Sequence, residues 1–236
     1  RKHLKTRGNK QIIMLGFSDG TKDGGYLTAN WSIYKAKEKL TKISRKYNID
    51  ISFFDGRGGP PARGGGNTNQ FYSSLGKQIQ ADEIQLTVQG QTISSNFGTL
   101  QSCRYNLEQL LSASVNNKLF DSNSHFIDDE DRETFNVISK ISHQAYNDFK
   151  SHPKFLPYLE NTSTLKFYAK TNIGSRPSKR KSSESFDFAS LRAIPFVGSW
   201  SQLKQNVPGF YGVGYALEKL NICLLYTSDA ADDTLC

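Results

Sequence analysis

Four short segments of the chain combine glycine with charged side chains that bind anions and metal ions. They read GFSDGTKDGG at residues 16–25, DGRGGPPARGGG at 55–66, NIGSRPSKR at 172–180 and LRAIPFVGSW at 191–200. Glycine lets backbone N–H groups approach an anion closely, and the planar guanidinium group of arginine donates two parallel hydrogen bonds to a phosphate or a carboxylate. The segments therefore predict a site for an anionic ligand.

The glycine-rich segment at residues 55–66 holds two arginines, Arg57 and Arg63. This combination suits a ligand that carries both a phosphate and a carboxylate group. The segment is neither a Walker loop, which needs Gly-Lys followed by Ser or Thr, nor a GxGxxG dinucleotide fingerprint. On composition alone, an RGG-like RNA-binding segment or a merely flexible one explains it equally well.

Asp19 and Lys22 lie three residues apart in the first segment, between glycines and soon after an apolar run. At the end of a strand, a carboxylate suits a hard divalent cation and an ammonium group suits an anionic substrate. Taken alone, the pair is better explained as an ordinary turn with a surface ion pair.

Two other groups of polar side chains are not expected to carry chemistry. The four histidines have neither metal-ligand spacing nor a nucleophile motif beside them: His3, His125, His143 and His152. The acidic run at residues 128–131 opens a helical pattern, where acids complement the helix dipole. Because side chains adjacent in sequence fan around a helix, we interpret this run as a helix start rather than a metal site.

The segments that position these residues alternate between strand and helix patterns. Short apolar runs predict strands at residues 12–15, 49–54 and 84–88, the first of them buried on both faces. The order strand, helix, strand indicates an α/β protein. In such proteins the loops after the carboxyl ends of strands hold the substrate, and the four segments are expected to be loops of this kind.

Apolar residues at helical spacing predict helices at residues 31–47, 100–111 and 128–150. In the first of these helices, the lysines are expected to face solvent: Lys35, Lys37, Lys39, Lys42 and Lys46.

Composition and charge limit the classes to which the protein can belong. The chain has 236 residues, of which 36% are hydrophobic, and only 3 cysteines. No apolar run approaches the length that crosses a bilayer. These features predict a globular cytoplasmic protein and argue against a disulfide scaffold or a membrane protein. The net charge of +8 favours an anionic partner or substrate.

In their order along the chain, the motifs resemble the C-terminal half of phosphoenolpyruvate carboxylases. Between residues 12 and 220 the sequence reads, in turn, GFSDGTKDGG, FFDGRGGPPARGGG, LTVQGQTISSNFG, NIGSRPSKR and SLRAIPFVGSWSQ. Each motif alone is weak, but their common order is specific. The resemblance implies an α/β fold that is part of a (β/α)8 TIM-type barrel, elaborated with many extra α-helices, with the motifs at its C-terminal mouth.

The same resemblance implies a lyase that carboxylates phosphoenolpyruvate with bicarbonate, giving oxaloacetate and phosphate through carboxyphosphate and an enolate. Mg²⁺ or Mn²⁺ is the implied cofactor. Aspartate or malate would be inhibitors, and the full-length protein would be a homotetramer that binds neither nucleic acid nor a membrane.

Residue roles carry over by position. Asp19 matches the metal-ligating aspartate, and Lys22 matches the active-site lysine beside it. Arg57 and Arg63 match the two arginines of a mobile glycine-rich loop, of which the first stabilises carboxyphosphate chemistry and the second also binds the inhibitory dicarboxylate.

Substrate binding is implied for two glycines of the same loop, Gly58 and Gly59, together with Arg57. Arg176 and Arg192 match the arginines on the phosphate and bicarbonate side. The loop departs from the family pattern at Asp55, where histidine is usual, and at Pro60 and Pro61, which stiffen it.

The two ends of the chain lead to separate expectations. Because the only methionine is Met14, the chain is expected to begin inside a longer protein, with a catalytic histidine and a second metal-ligating glutamate upstream. Residues 223–233 read CLLYTSDAADD, which resembles the translation of a sequencing-library adapter. We therefore expect a partial catalytic domain at residues 1–222, inactive by itself, and a non-native tail at 223–236.

Two alternatives remain open at the level of sequence. One is an RNA-binding module that uses the RGG-rich loop and the basic residues 176–181, although no aromatic platform interleaves with them. The other is a different phosphoenolpyruvate-using barrel enzyme, such as a mutase or a kinase.

Overall fold

The computed structural model describes residues 2–59, 63, 65–88, 91–119, 127–168, 188, 191–205 and 207–222. Arg176, Pro60 and Pro61, the basic stretch around Arg176 and the tail at 223–236 lie outside the described residues.

A parallel sheet with the strand order β1-β2-β3 lies in the first part of the chain. Its strands are β1 (Lys10–Leu15), β2 (Asp50–Asp55) and β3 (Ile84–Leu86). Lys10 pairs with Asp50 and Leu15 with Asp55, while Phe53 pairs with Ile84. The three strands therefore end at the same edge, where a parallel α/β sheet places its functional loops.

Helices make up most of the remaining described residues. In chain order they are α1 (Lys2–Thr6), α2 (Phe17–Gly24), α3 (Tyr26–Tyr47), α4 (Thr68–Ser73), α5 (Gln91–Phe97), α6 (Leu100–Leu119), α7 (Asp129–Ser151), α8 (Phe155–Thr162), α9 (Leu165–Tyr168), α10 (Ala193–Gln202), α11 (Val207–Phe210) and α12 (Val213–Lys219). Each of them is too short or too polar to span a lipid bilayer.

The predicted helix starts and stops have clear local causes. The side chain of Asp128 accepts a hydrogen bond from the backbone N–H of Asp131 at 2.7 Å, so the acidic run is the N-terminal cap of α7, as predicted. At its other end, α3 stops at Asn48, which adopts the left-handed conformation with φ 53°.

Two hydrophobic cores hold these elements together. One lies between the sheet and helices α4 and α6 and includes Ile51, Phe53, Tyr72 and Ala113. The other joins α8, α9 and α10 around Trp200, which is 1% exposed. Helix α7 packs against α3, α8 and α12 and so links the two regions.

Three sequence predictions differ from the structure. Strand β1 is not buried on both faces, because Ile12 and Met14 are 43% and 61% exposed. Lys37 does not face solvent but is 1% exposed, since it forms a buried ion pair with Asp55. The segments at residues 16–25 and 191–200 are not loops: helix α2 occupies residues 17–24 of the first, and helix α10 begins at Ala193 in the second.

Candidate functional site

Helix α2 begins immediately after β1 and carries both charged residues of the first motif. Asp19 lies in its first turn and is exposed, whereas Lys22 lies in its last turn and is 2% exposed. The ammonium group of Lys22 is 2.8 Å from the carboxylate of Asp23. A solvated surface turn therefore does not describe Lys22, whose charge is buried inside the protein.

Contacts from α7 fix the last turn of α2. The hydroxyl group of Tyr146 donates a hydrogen bond to the carbonyl of Lys22 at 2.8 Å, and Lys150 donates one to the carbonyl of Asp23. Burial lowers the pKa of Lys150, a shift that Asp23 opposes and Lys22 reinforces. These contacts hold two lysines beside the same end of α2.

Phe188 covers the ammonium group of Lys22 from the other side. The Lys22 Nζ atom lies 4.3 Å from the centre of the Phe188 ring and 3.4 Å from the Phe188 carbonyl oxygen. The aromatic face favours a cation there and excludes water. Phe188 precedes Arg192 by four residues, so this contact also brings the fourth motif towards α2.

The glycine-rich loop folds back on itself and against α2. The backbone N–H of Gly58 donates to the carbonyl of Arg63 at 3.1 Å, and the hydroxyl group of Ser18 donates to the same carbonyl at 3.1 Å. A side chain at Gly65 would place its Cβ 2.0 Å from the carbonyl oxygen of Gly59. The chain can pass itself this closely only with glycine, which explains the composition of the loop.

Arg57 follows β2 and is 6% exposed. Its guanidinium carbon lies 4.0 Å from the ring centre of Phe71 and 5.9 Å from that of Phe17, the first residue of α2. Thr87, just after β3, donates its hydroxyl hydrogen to the Arg57 carbonyl at 3.0 Å. Burial lowers the pKa of Arg57, and the nearby Tyr72 and Asp55 partly offset the shift.

Arg63 and Arg192 have buried hydrogen-bond donors for which the described residues supply no acceptor. The Nε and Nη2 atoms of Arg63 and the Nε atom of Arg192 are buried, and no described residue accepts a hydrogen bond from them. Arg192 directly precedes α10, which packs against α2. An anion beside α2 would satisfy these donors, because a guanidinium group binds phosphate and carboxylate groups.

The described residues provide few ligands for a divalent cation. Among the residues described, no group of three or more His, Cys, Asp or Glu side chains could hold a metal ion. Asp19 offers one carboxylate, whereas Mg²⁺ requires an octahedral set of oxygen ligands. The described part of the chain alone does not fit a Mg²⁺ or Mn²⁺ site.

The structure thus brings together most of the residues that the sequence singled out. Lys22, Arg57, Arg63 and Arg192 lie on α2, contact it, or precede a helix packed against it. Gly58 and Gly59 shape the loop that presents Arg63, and Arg176 lies outside the described residues.

Sequence analysis missed several residues that support this site. Tyr146, Lys150 and Phe188 surround Lys22, and Tyr72 and Lys37 lie beneath Arg57. For Lys37 the sequence does contain a sign of burial. Lys37, Thr41 and Ser44 are spaced so that they lie on one side of a helix, and in the structure they form a polar, buried side of α3. The other contacts join segments far apart in sequence and leave no such pattern.

Comparison with known proteins identifies the same family as the order of the motifs. Residues 1–224 match the family described as phosphoenolpyruvate carboxylase. The phosphoenolpyruvate carboxylase of Corynebacterium diphtheriae is 36% identical to this chain over 219 residues, which cover 93% of this chain and 24% of that protein. The chain therefore spans about a quarter of its relative's length. With a match over nearly its entire length, this chain belongs to the phosphoenolpyruvate carboxylase family.

Proposed function

We propose that the chain is part of the catalytic domain of an enzyme that carboxylates phosphoenolpyruvate with bicarbonate, giving oxaloacetate and phosphate. The observation that carries this proposal is a set of buried donor atoms, Nε and Nη2 of Arg63 and Nε of Arg192, from which no described residue accepts a hydrogen bond. Phosphoenolpyruvate carries a phosphate and a carboxylate, the two groups that match a guanidinium fork.

The proposed reaction explains why several cations surround α2. Bicarbonate attacks the phosphoryl group, the phosphorus–oxygen bond of the substrate breaks, and carboxyphosphate and the enolate of pyruvate form. Carboxyphosphate then releases CO₂ and phosphate, and the enolate carbon attacks the CO₂. Negative charge builds up in both steps, and fixed cations in a water-poor site stabilise it without reorganisation.

Roles for individual residues follow from this chemistry. Arg57 and Arg192 bind the phosphate and bicarbonate groups, and Lys22 stabilises charge at the buried end of α2. By its place in the NIGSRPSKR motif, Arg176 is also assigned to binding the phosphate and bicarbonate groups. Arg63 stabilises the anion from the glycine-rich loop and also binds aspartate or malate as inhibitors.

The sheet supports a place for this chain in a (β/α)8 barrel. The strands are parallel, and α2 and the Gly56–Arg57 turn follow the carboxyl ends of β1 and β2. In TIM barrels these ends form the active-site face. We propose that further strands from the full-length protein complete the barrel.

We propose that Mg²⁺ or Mn²⁺ is bound only when further ligands come from outside the described residues. Asp19 would contribute one carboxylate. Since one carboxylate cannot hold the ion, we propose that the 236 residues alone have no carboxylase activity. The full-length protein would act in the cytoplasm as a homotetramer.

The full-length protein encoded by the gene provides the test. Oxaloacetate formation is followed with malate dehydrogenase and NADH, with and without bicarbonate. We expect bicarbonate-dependent turnover, and we expect Arg63→Gln and Arg192→Gln to lower kcat/KM by about 30-fold or more, as loss of a buried charged contact does. Arg104→Gln removes an exposed arginine that pairs with Glu108 on α6 and is expected to change nothing.

Other outcomes would replace this proposal. Consumption of phosphoenolpyruvate without bicarbonate would identify another phosphoenolpyruvate-using enzyme. Salt-sensitive RNA binding without turnover would identify an RNA-binding module, although burial of Arg57 against Phe71 argues against this reading.

A further inference from the structure

The first turn of α2 contacts both arginines of the glycine-rich loop. The ring centre of Phe17, which is fully buried, lies 5.9 Å from the guanidinium carbon of Arg57. The next residue, Ser18, donates its hydroxyl hydrogen to the backbone carbonyl of Arg63 at 3.1 Å. Ser18 and Arg63 are 45 residues apart in sequence, so only the tertiary structure brings them together.

The carbonyl group of Arg63 is a junction between the loop and α2. It accepts one hydrogen bond from the backbone N–H of Gly58 at 3.1 Å and a second from the Ser18 hydroxyl group. The backbone N–H of Gly66 donates to the carbonyl of Gly59 at 3.0 Å. The two backbone bonds close the base of the loop on itself, whereas the Ser18 bond connects the loop to another element.

The side chain of Arg63 follows the position of its backbone closely. A Cβ atom at Gly58 would lie 2.4 Å from the Cβ atom of Arg63 and 3.0 Å from its Nε atom, so this side chain lies directly on the Gly58 backbone. The Nε and Nη2 atoms of Arg63 are buried, and no described residue accepts a hydrogen bond from them. A shift of the backbone at residue 63 would therefore move these buried donors.

The hydroxyl group of Ser18 is not used by its own helix. The N-cap residue of α2 is Gly16, and the hydroxyl group of Thr21 in the same helix donates to the carbonyl of Phe17. Ser18 instead donates to the loop. Alanine is a better helix former than serine, so helix formation alone does not favour serine at this position.

We propose that Ser18 is a positioning residue: its hydroxyl group holds the Arg63 backbone against α2 and so places the Arg63 guanidinium group to bind the anionic substrate. This inference rests on the proposed function, because it takes Arg63 as a substrate-binding residue. Since Ser18 is neutral and acts on a backbone carbonyl, its whole effect on substrate binding should pass through Arg63.

Two other roles for Ser18 give a different result. If its hydroxyl group only stabilises the fold, or if it contacts the substrate itself, removing it should have the same effect whether or not Arg63 is present. Residues that act independently have additive effects, whereas residues that act through one another do not. Only the positioning role predicts that the effect of Ser18 disappears together with Arg63.

The experiment uses the full-length protein with Ser18→Ala, Arg63→Gln, the double variant, and Ser201→Ala as a matched control. Ser201 lies on α10 and donates its hydroxyl hydrogen to the carbonyl of Val197 in the same helix. Its substitution removes a serine hydroxyl group without affecting the loop. For each protein we would measure KM for phosphoenolpyruvate, kcat, and the melting temperature without substrate.

We expect Ser18→Ala to raise KM for phosphoenolpyruvate about fivefold, as the loss of one hydrogen bond does. In the Arg63→Gln background, the same substitution should change KM by less than about twofold. Ser201→Ala should leave KM unchanged. The proposal is overturned if Ser18→Ala leaves KM unchanged, or if it raises KM by the same factor in both backgrounds.

The form of the change separates positioning from loss of folded protein. A partly unfolded preparation contains fewer active molecules, which lowers the apparent kcat and leaves KM unchanged. If Ser18→Ala does not fold, Ser18→Cys replaces it, because a thiol is similar in shape but donates only a weak hydrogen bond. We then expect KM to rise about threefold with Arg63 present and to stay constant with Arg63→Gln. Any other pattern would overturn the proposal.

Failure of the proposed function would be recognised separately. If the unsubstituted protein shows no carboxylation, calorimetric titration with phosphoenolpyruvate and with inorganic phosphate compares the same variants. Weaker binding to Ser18→Ala only while Arg63 is present would retain the positioning role for an anion site of another enzyme. Absence of binding to the unsubstituted protein would overturn both proposals.

Discussion

Single residues at the carboxyl edge of the sheet carry charge in places that water hardly reaches. Lys22, Lys37, Asp55 and Arg57 are each between 1 and 6% exposed. Burying a charge is costly unless it is paired, and two of these residues, Lys37 and Asp55, are paired with each other. The stability of the fold and the chemistry proposed for the site therefore involve the same residues.

The pH dependence of stability tests the Lys37–Asp55 pair without any substrate. Burial lowers the pKa of Lys37 below its ordinary value of 10.5, and Asp55 opposes this shift. Between the folded and unfolded pKa values the unfolded chain binds more protons, so the free energy of unfolding rises with pH. Asp55→Asn removes the opposing effect, lowers the folded pKa of Lys37 further and extends this window to lower pH.

Urea unfolding of the 236-residue chain between pH 7 and 9.5 measures this effect. We expect the free energy of unfolding of Asp55→Asn to increase over this pH range by more than that of the unsubstituted chain. The extra increase should be about 1.4 kcal/mol for each unit by which the substitution lowers the pKa of Lys37. The Lys37→Met/Asp55→Asn chain lacks the titrating group and serves as the control. An Asp55→Asn slope equal to that of this control would contradict the assignment.

Sequence reasoning identified the charged residues of the site better than their surroundings. The sequence singles out Arg57 and Arg63 because they lie in a segment rich in glycine. Lys37 was wrongly placed in solvent because hydrophobicity treats every lysine as exposed, whereas here Asp55 supplies a counter-ion from another element. The helical spacing of Lys37, Thr41 and Ser44 indicates a polar buried side of α3, but it does not identify Asp55, 18 residues away, as the partner of Lys37.

At the scale of elements, the short helix α2 depends on its neighbours for its position. Its N-cap residue, Gly16, provides no side-chain hydrogen bond, and Tyr146 and Lys150 of α7 donate hydrogen bonds to the carbonyl groups of its last turn. A helix of 8 residues is marginal in isolation, so tertiary contacts must stabilise it. The sequence predicted a loop here because glycine and aspartate dominate the segment.

Strand and helix positions were predicted well where periodicity was strong. The strands near residues 12–15, 49–54 and 84–88 are confirmed, as are the long helices α3, α6 and α7. The apolar spacing that predicts α3 includes Ile43 and Tyr47, but these two residues are 43% and 57% exposed, so the spacing does not identify the whole buried side. In this helix, polar groups with partners on other elements occupy part of the buried side.

A close contact at the start of α12 provides a test at this scale. Gly212 has φ +88°, and a Cβ atom there would lie 2.5 Å from the carbonyl oxygen of Ser142 on α7. Gly212→Ala therefore forces a strained backbone and separates α12 from α7. We expect it to lower the free energy of unfolding by about 1 to 3 kcal/mol, measured by urea titration.

Gly214 is the matched control, two residues further along and inside α12. Its added Cβ atom would meet nothing within 4 Å. Alanine is a better helix former than glycine, so Gly214→Ala should be neutral or stabilise by up to about 1 kcal/mol. Equal destabilisation by both substitutions would show that the close contact with Ser142 does not matter.

At the scale of the whole molecule, the β1 edge of the sheet is not paired with any other strand among the described residues. Strand β1 pairs with β2 on one side, and no described strand pairs with its other side. Half of its residues are exposed, among them Ile12 and Met14. An open apolar edge invites pairing with another strand, and this chain spans 24% of its relative from Corynebacterium diphtheriae.

Hydrogen–deuterium exchange compares the 236-residue chain with the full-length protein and tests barrel closure. In the chain alone, amides of β1 that face away from β2 should exchange rapidly, because no strand of the described residues accepts their hydrogen bonds. In the full-length protein we expect protection of β1 to approach that of β2, which is paired on both sides in either form. Exchange of β2 is therefore the internal control. Equally rapid exchange of β1 in both proteins, with β2 protected, would mean that β1 remains an edge strand and that the proposed barrel does not close there.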